Sequence, residues 1–235
     1  MKKNLVKDIF LILFIPIIFA IFGFIPFLFT FYKNFNGDHP YIMSFIKFAI
    51  LATYGEIASY RISNKRYPDK SFGILPKMLV WGILGVFIKA AFVIFTNGAI
   101  ALLISINRNF PSNILTTKGL SLLKILASFS ISLTMNLIFA PVMMAAHKIT
   151  DLYIAKAGGT FGGIFKTRFV FTELLKDIDW KSFGGFVLCK TIPFFWIPAH
   201  TITFLLNQSY QVLFAALLSV ALGLLLAYKP IKNVK

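Results

Sequence analysis

Apolar residues along this chain fall into six long stretches that short polar segments separate. Each stretch has about twenty residues or more, and at about 1.5 Å of rise per residue such a helix crosses a hydrocarbon core of roughly 30 Å. The pattern therefore predicts an all-α bundle of six transmembrane helices in one membrane domain, residues 1–235. The predicted spans are Ile9–Phe31, Ile42–Tyr60, Met78–Ile104, Leu120–Ala146, Phe183–Leu206 and Val212–Tyr228.

Basic residues are distributed unevenly between the two sides of these spans. One side has five: Lys33, Lys47, Arg108, Lys118 and Lys124. The other side has seventeen: Lys2, Lys3, Lys7, Arg61, Lys65, Arg66, Lys70, Lys77, Lys148, Lys156, Lys166, Arg168, Lys176, Lys181, Lys229, Lys232 and Lys235. Because the loops richer in Lys and Arg face the cytoplasm, we expect both termini to be cytoplasmic.

Composition supports a membrane protein and argues against a nucleic-acid-binding one. The chain is 58% hydrophobic and only 14% charged, with a formal net charge of +16. That charge is spread over four cytoplasmic segments and already accounts for the orientation, so we predict no nucleic-acid partner. Anionic lipid headgroups on the cytoplasmic side are the expected partner of these bases.

The first span looks at first like a signal peptide, because lysines precede an apolar run. The run is too long, lacks a small-residue cleavage site and contains Pro16 and Pro26. We therefore predict a retained, kinked helix over residues 9–31. Residues 147–181 are the one long loop, and their interleaved Phe and basic residues predict a partly helical segment on the cytoplasmic interface.

The polar residues that cost most where they lie in the predicted spans are Glu56, Lys89, Asn136 and Lys190. A charge at a helix centre costs about 2.5–3.5 kcal/mol on insertion scales, so such groups usually face protein or a wet cavity. Counting residues places all four in the cytoplasmic half or near the midplane, which allows a Glu56–Lys89 pair with the other two nearby. The alternative is a purely structural ion pair. Helix breaks are expected at Pro141, Pro193 and Pro198.

The last span carries small residues at every fourth position. They are Ala215, Ser219, Gly223 and Ala227. Such a stripe lets another helix approach closely in lipid. The partner helix is expected in the same chain, and a second subunit of a homo-oligomer stays open.

Partial motifs in four spans share their order with a known family. The matching residues are His39, Pro40, Gly55, Gly85, Phe139, Ala140, Trp196, Phe204 and Tyr210. In this order they resemble the Mpv/PMP family, which comprises a peroxisomal membrane protein and its mitochondrial inner-membrane relatives. The resemblance covers about residues 39–228 and leaves the helix 9–31 as an addition. By this resemblance the chain is identified as a divergent, bacterial-type member of the family.

The chain departs from that family at several motif positions. Glu56 stands where the family has Asp, Tyr60 and Asn136 stand at Gln positions, and Met135 replaces another Asp. The resemblance implies an all-helical, pore-like protein that passes small metabolites with little selectivity. Because of the departures at Tyr60 and Met135, the sequence does not predict whether this chain shares the gating mechanism of the family.

Three functions are compatible with these observations. The leading hypothesis is a non-enzymatic pore or channel for small solutes, with Lys89 or Lys190 favouring anions. The alternative is a structural or complex-organising membrane subunit, for which the small-residue stripe suffices. The third is a lipid-active enzyme embedded in the membrane, since His147 and Asp151 lie four residues apart and could face a headgroup from one helix end.

No cofactor or metal is expected from the sequence. The chain has three histidines, at positions 39, 147 and 200, and lacks a catalytic signature or a nucleotide-binding motif. A bacterial cytoplasmic membrane is the expected location, because the basic N-terminal residues lead directly into an apolar span.

Overall fold

The computed structural model describes residues 2–227 of the chain. The structure is 85% helical, and no strand occurs among the described residues. The prediction of an all-α fold is confirmed. The end of the last predicted span, Tyr228, and the C-terminal Lys229, Lys232 and Lys235 lie outside the described residues.

Ten α-helices and one π-helical segment build this part of the chain. The α-helices are α1 (Lys2–Phe24), α2 (Pro26–Asp38), α3 (Pro40–Asn64), α4 (Ile74–Ile106), α5 (Leu122–Lys156), α6 (Phe161–Lys166), α7 (Phe171–Lys176), α8 (Trp180–Ser182), α9 (Ile197–Leu205) and α10 (Gln208–Ala227). The π-helical segment, Phe183–Trp196, joins α8 to α9. Two 3-10 turns, Lys70–Phe72 and Ile114–Thr116, precede α4 and α5.

Six helical stretches are long and apolar enough to cross a membrane. They are Asn4–Phe24, Pro40–Asn64, Lys70–Ile106, Leu122–Lys156, Trp180–Leu205 and Gln208–Ala227. The prediction of six such helices is confirmed, although most of them extend beyond the predicted limits. The third begins before Met78 and the fourth continues past Ala146, and both extensions carry residues of the candidate site.

The predicted first span, residues 9–31, is two helices rather than one kinked helix. α1 ends at Phe24, and Ile25 adopts an extended backbone with φ −114° and ψ 91° before α2 begins at Pro26. Proline has no amide hydrogen and disfavours helical backbone in the residue before it. Pro26 therefore starts a new helix, whereas Pro16 lies inside α1.

The chain divides into two compact units between Met43 and Ser44, inside α3. The hydrophobic pattern predicted a single membrane domain. The first unit holds α1, α2 and the start of α3, and none of the apolar window of Asn4–Phe24 is buried. The second unit holds the remaining helices and the candidate site.

In the second unit α3 and α4 are antiparallel neighbours. Tyr60, late in α3, has its ring 5.3 Å from that of Phe72, just before α4. At the other end Gly85 lies against Ser44 and Phe48, where an added Cβ would be 2.7 Å from the Ser44 carbonyl oxygen. A side chain at position 85 would therefore push the two helices apart, which explains the glycine.

The small-residue stripe of α10 packs against α3 of the same chain. A Cβ added at Gly55 would lie 2.9 Å from Cα of Val220, and one added at Gly223 would lie 3.2 Å from the carbonyl oxygen of Gly55. Ala215, on the same stripe, is fully buried, and Ser219 and Ala227 are half-buried. Gly223 of the stripe therefore has its close partner helix within the chain.

All three prolines expected to break helices lie in helical backbone. Pro141 is inside α5, which continues to Lys156. Pro193 is inside the π-helical segment, and Pro198 lies in the first turn of α9. The wider π-helix hydrogen-bonds each N–H to the fifth residue before it, as the Ile197 N–H does with the carbonyl of Ile192.

The predicted interfacial segment begins later than expected, because α5 extends to Lys156. Residues 157–182, here called the aromatic segment, contain the short helices α6 and α7 and expose Phe161, Phe165, Phe169, Phe171 and Trp180.

The Tyr153 hydroxyl of α5 donates to the carbonyl oxygen of Ile164 at 2.7 Å. Lys156 and Glu173 form an ion pair at 2.9 Å, and this hydrogen bond holds the pKa of Glu173 below its ordinary value. These contacts attach the aromatic segment to the end of α5.

Candidate functional site

Five polar side chains from three helices meet at one end of the second unit. Glu56 comes from α3, Lys77 and Trp81 from α4, and His147 and Asp151 from α5. We call these residues the charged cluster. Lys77 and Trp81 are four residues apart, as are His147 and Asp151, so each pair lies on one face of its helix.

Lys77 lies between the two carboxylates of the charged cluster. Its Nζ is 2.7 Å from Oε2 of Glu56 and also contacts Oδ1 of Asp151. The Lys77 side chain is 10% exposed and the two carboxylate side chains are 20% and 25% exposed. In such a mostly buried place each charge needs its partner to offset the loss of hydration.

The second oxygen of Glu56 is also occupied. Nε1 of Trp81 donates to Oε1 of Glu56 at 2.6 Å, and Nε2 of His147 lies 3.0 Å from the same oxygen. The Trp81 and His147 rings pack together with centroids 4.2 Å apart. On its other side, Nδ1 of His147 lies 3.8 Å from Oδ2 of Asp151, which is too far for a direct hydrogen bond.

Three members of the charged cluster have the donor types of a metal site. Glu56, His147 and Asp151 offer ligand atoms that lie within 4.8 Å of one another. Imidazole and carboxylate are common ligands of zinc and related ions. The Lys77 ammonium already lies between the two carboxylates, so the arrangement is that of a cation site that a lysine fills.

A cavity of about 570 Å³ lies inside the second unit, and the charged cluster lines one end of it. Its size is within the usual range for a small-molecule site. The rest of the lining is mostly apolar and includes Ala52, Phe139, Ala140, Met143 and Met144.

A second group of polar side chains, Asn136, Trp196 and His200, also lines the cavity. We call it the inner polar cluster. Asn136 is fully buried, with Nδ2 2.8 Å from the Ser132 carbonyl oxygen and 3.1 Å from Nδ1 of His200. The ring of Trp196 stacks on that of His200, with centroids 5.1 Å apart and an angle of 27°. Asn136 precedes His147 by eleven residues on α5, which is about 16 Å along a helix.

The four polar residues predicted within the spans do not all come together. Glu56 and Asn136 line the cavity, whereas Lys89 and Lys190 do not. The expected Glu56–Lys89 pair does not form, because Glu56 is paired with Lys77. Lys89 is half-buried on α4 and Lys190 is exposed on the π-helical segment.

The family-like residues occupy different environments. Those that line the cavity are Gly55, Phe139, Ala140 and Trp196. Phe204 is fully buried, with its ring 4.9 Å from that of Phe92. Pro40 begins α3 just after His39, and Tyr210 is exposed on α10.

Lys77 and Trp81 are the residues of the charged cluster that the sequence analysis missed. The predicted third span began at Met78, which assigned Lys77 to a cytoplasmic loop, while the structure begins α4 at Ile74. The available signal was the spacing of polar residues at the helix ends. Lys77–Trp81 and His147–Asp151 repeat the same four-residue interval on successive helices.

None of the family models, curated proteins or solved structures compared with this chain matches it. The resemblance to the Mpv/PMP family therefore stays a prediction. The six apolar helices make the chain an integral membrane protein.

Proposed function

We propose that this integral membrane protein is a non-enzymatic conduit for small solutes. The observation that supports the proposal is a cavity of about 570 Å³ that has two polar clusters in its lining and lies within a bundle of membrane-length helices. A buried polar group has to be matched by a partner or by a wet cavity. Asn136 on α5 and Glu56 on α3 have protein partners and also line this cavity.

The charge distribution gives the conduit an orientation. If the side rich in Lys and Arg is cytoplasmic, the charged cluster lies at the cytoplasmic end and the inner polar cluster lies deeper. Beyond Asn136, towards the start of α5, a buried apolar cluster of Ile100, Phe110, Ile114 and Ala127 follows. These four residues do not line the cavity, so passage requires an opening at this cluster.

The placement of charges argues for weak charge selectivity. The anion preference expected from Lys89 or Lys190 lacks support, because neither residue lines the cavity. The charged lining consists of two carboxylates and two lysines: Glu56, Asp151, Lys77 and Lys148. Their formal charges cancel, which favours neither anions nor cations.

Solute entry into liposomes tests this proposal. Purified protein is reconstituted, and uptake of erythritol, pyruvate and choline is followed by light scattering against protein-free liposomes. We expect erythritol entry at least several-fold above the background. Lys77→Gln should shift the remaining preference towards choline, because it removes a positive charge from the lining. Lys190→Gln is the matched control and should change nothing.

Absence of any solute entry from folded protein would reject the conduit. The structural-subunit hypothesis would then be favoured, and co-purification with another membrane protein would test it. Gly223 of the small-residue stripe contacts α3 of the same chain, so its close packing needs no second subunit.

We further propose that anionic lipid headgroups contact the aromatic segment. Its exposed Phe165 and Phe169 flank Lys166 and Arg168, which are also exposed. Aromatic and basic side chains next to each other are typical of segments that lie in a membrane interface. In a bacterial cell the cytoplasmic membrane would supply this surface.

A further inference from the structure

Two ring N–H groups beside the cavity lack a hydrogen-bond acceptor among residues 2–227. Nε1 of Trp196 is buried without a partner. The His200 ring makes its hydrogen-bonding contact with Asn136 through Nδ1, and its Nε2 bonds to no described residue. A buried donor without an acceptor, as at Nε1 of Trp196, is costly. An acceptor delivered to this place would therefore be bound favourably.

The contact with Asn136 favours one tautomer of the His200 ring. The shorter contact between the two side chains joins Nδ2 of Asn136 to Nδ1 of His200 at 3.1 Å, and the longer one, at 3.3 Å, involves Oδ1. An amide NH₂ group only donates, and Nδ2 also donates to the Ser132 carbonyl oxygen, so the neutral His200 tautomer that fits the shorter contact accepts at Nδ1 and has its proton on Nε2. Trp196 and His200 then both present N–H donors from stacked rings.

The surroundings of these two rings favour an uncharged acceptor. The charged residues of the lining belong to the region around the charged cluster, which begins about 16 Å away along α5. An anion at the inner polar cluster would be buried without a countercharge, which is unfavourable. Met135, Phe139 and Ala140 provide apolar surface for the rest of a bound molecule.

We infer that Trp196 and His200 form a binding site for an uncharged oxygen acceptor, the carbonyl or hydroxyl group of a small neutral solute. The inference rests on the proposed function, because it names the class of solute that the conduit takes. Binding, however, can be measured without transport.

Fluorescence quenching of Trp196 tests the site directly. Trp81→Phe and Trp180→Phe make Trp196 the sole tryptophan of the full chain. The probes are acrylamide, a small neutral amide with a carbonyl oxygen, and iodide, an anion. We expect acrylamide quenching to saturate and to exceed iodide quenching at least fivefold at equal concentration.

Variants of His200 separate hydrogen bonding from shape. His200→Phe keeps a ring but removes the N–H and should lower the affinity for acrylamide at least threefold. His200→Gln keeps a side-chain N–H donor and should retain most of the binding. It also tests the role of the donor if His200→Phe does not fold. Phe92→Leu is the control, because the Phe92 ring packs against the His200 ring, with centroids 6.0 Å apart, and has no hydrogen-bond donor.

Quenching that rises linearly without saturation would overturn the inference, since it would show free diffusion without a site. Equal quenching by iodide, or unchanged binding in His200→Phe, would overturn it as well. Saturable acrylamide binding without solute entry into liposomes would reject the conduit and keep the site. Solute entry without saturable binding would support the conduit and reject the site.

Discussion

The ammonium of Lys77 lies 2.7 Å from Oε2 of Glu56 and joins α4 to α3 at one end of the cavity. The same ammonium contacts Asp151 of α5, so one lysine connects three helices. Glu56 in turn accepts a hydrogen bond from Trp81. The charged cluster is therefore both the lining of the cavity and a joint between helices.

Loss of the lysine should destabilise the protein. In Lys77→Met, Glu56 and Asp151 lose their shared countercharge, and breaking a buried pair in this way costs about 3 kcal/mol. Denaturant unfolding in detergent micelles measures the effect. The control is Lys190→Met, an exposed lysine outside the cluster, which should change stability by less than about 0.5 kcal/mol. Equal effects in the two variants would show that the Lys77 contacts do not contribute.

The same lysine should keep metal ions out of the charged cluster. In Lys77→Ala the ligand atoms of Glu56, His147 and Asp151 become free to bind Zn²⁺. At Zn²⁺ about 100-fold above its dissociation constant the variant should gain about 2.7 kcal/mol, measured as a rise in melting temperature. Wild type should gain nothing, and adding His147→Ala should abolish the gain. A rise in wild type, or none in Lys77→Ala, would contradict this assignment.

Close contact between α3 and α10 should make Gly55 intolerant of a side chain. A Cβ there would lie 2.9 Å from Cα of Val220, so Gly55→Ala forces the backbones apart. Overpacking of this kind costs about 1–3 kcal/mol. Gly98→Ala on α4 is the control, because its Cβ meets nothing within 4 Å and alanine favours a helix. A Gly55→Ala protein as stable as Gly98→Ala would refute the close approach.

Basic residues of the aromatic segment should make it respond to anionic lipid. Trp180 is 51% exposed, and its emission should shift to shorter wavelength in nanodiscs with anionic lipid relative to zwitterionic ones. Each basic residue near such a surface contributes about 1 kcal/mol. The shift should therefore shrink in the double variant Lys166→Gln and Arg168→Gln, measured with Trp180 as the sole tryptophan. Identical emission in both lipids would count against lipid contact.

The sequence predicted the membrane helices well because length and hydrophobicity alone determine whether a helix can cross a bilayer. The first and last residues of each helix were harder to predict. A polar residue lowers the hydrophobicity of a helix end without ending the helix, so the hydrophobic pattern assigns Lys77 and His147 to loops although α4 and α5 contain both. The break at Pro26 was expected only as a kink.

The candidate site could be predicted only in part. Glu56 and Asn136 were recognisable because polar side chains in apolar spans need a protected environment. Their partners depend on helix rotation and register, which a sequence does not show. Lys89 was the expected partner of Glu56 by depth, yet Lys77 is the residue whose ammonium reaches it.

The most direct test of the central claim is to block the cavity chemically. Cys189 is the sole cysteine and is replaced by serine, and Met143→Cys then places a thiol in the cavity lining. Ile138→Cys is the control, because Ile138 is on the same helix, is 64% exposed and does not line the cavity. Treatment with benzyl methanethiosulfonate, which adds a group larger than the native methionine side chain, should reduce erythritol entry at least fivefold in Met143→Cys and leave Ile138→Cys unchanged. Erythritol entry that labelling of position 143 does not change would contradict passage through this cavity.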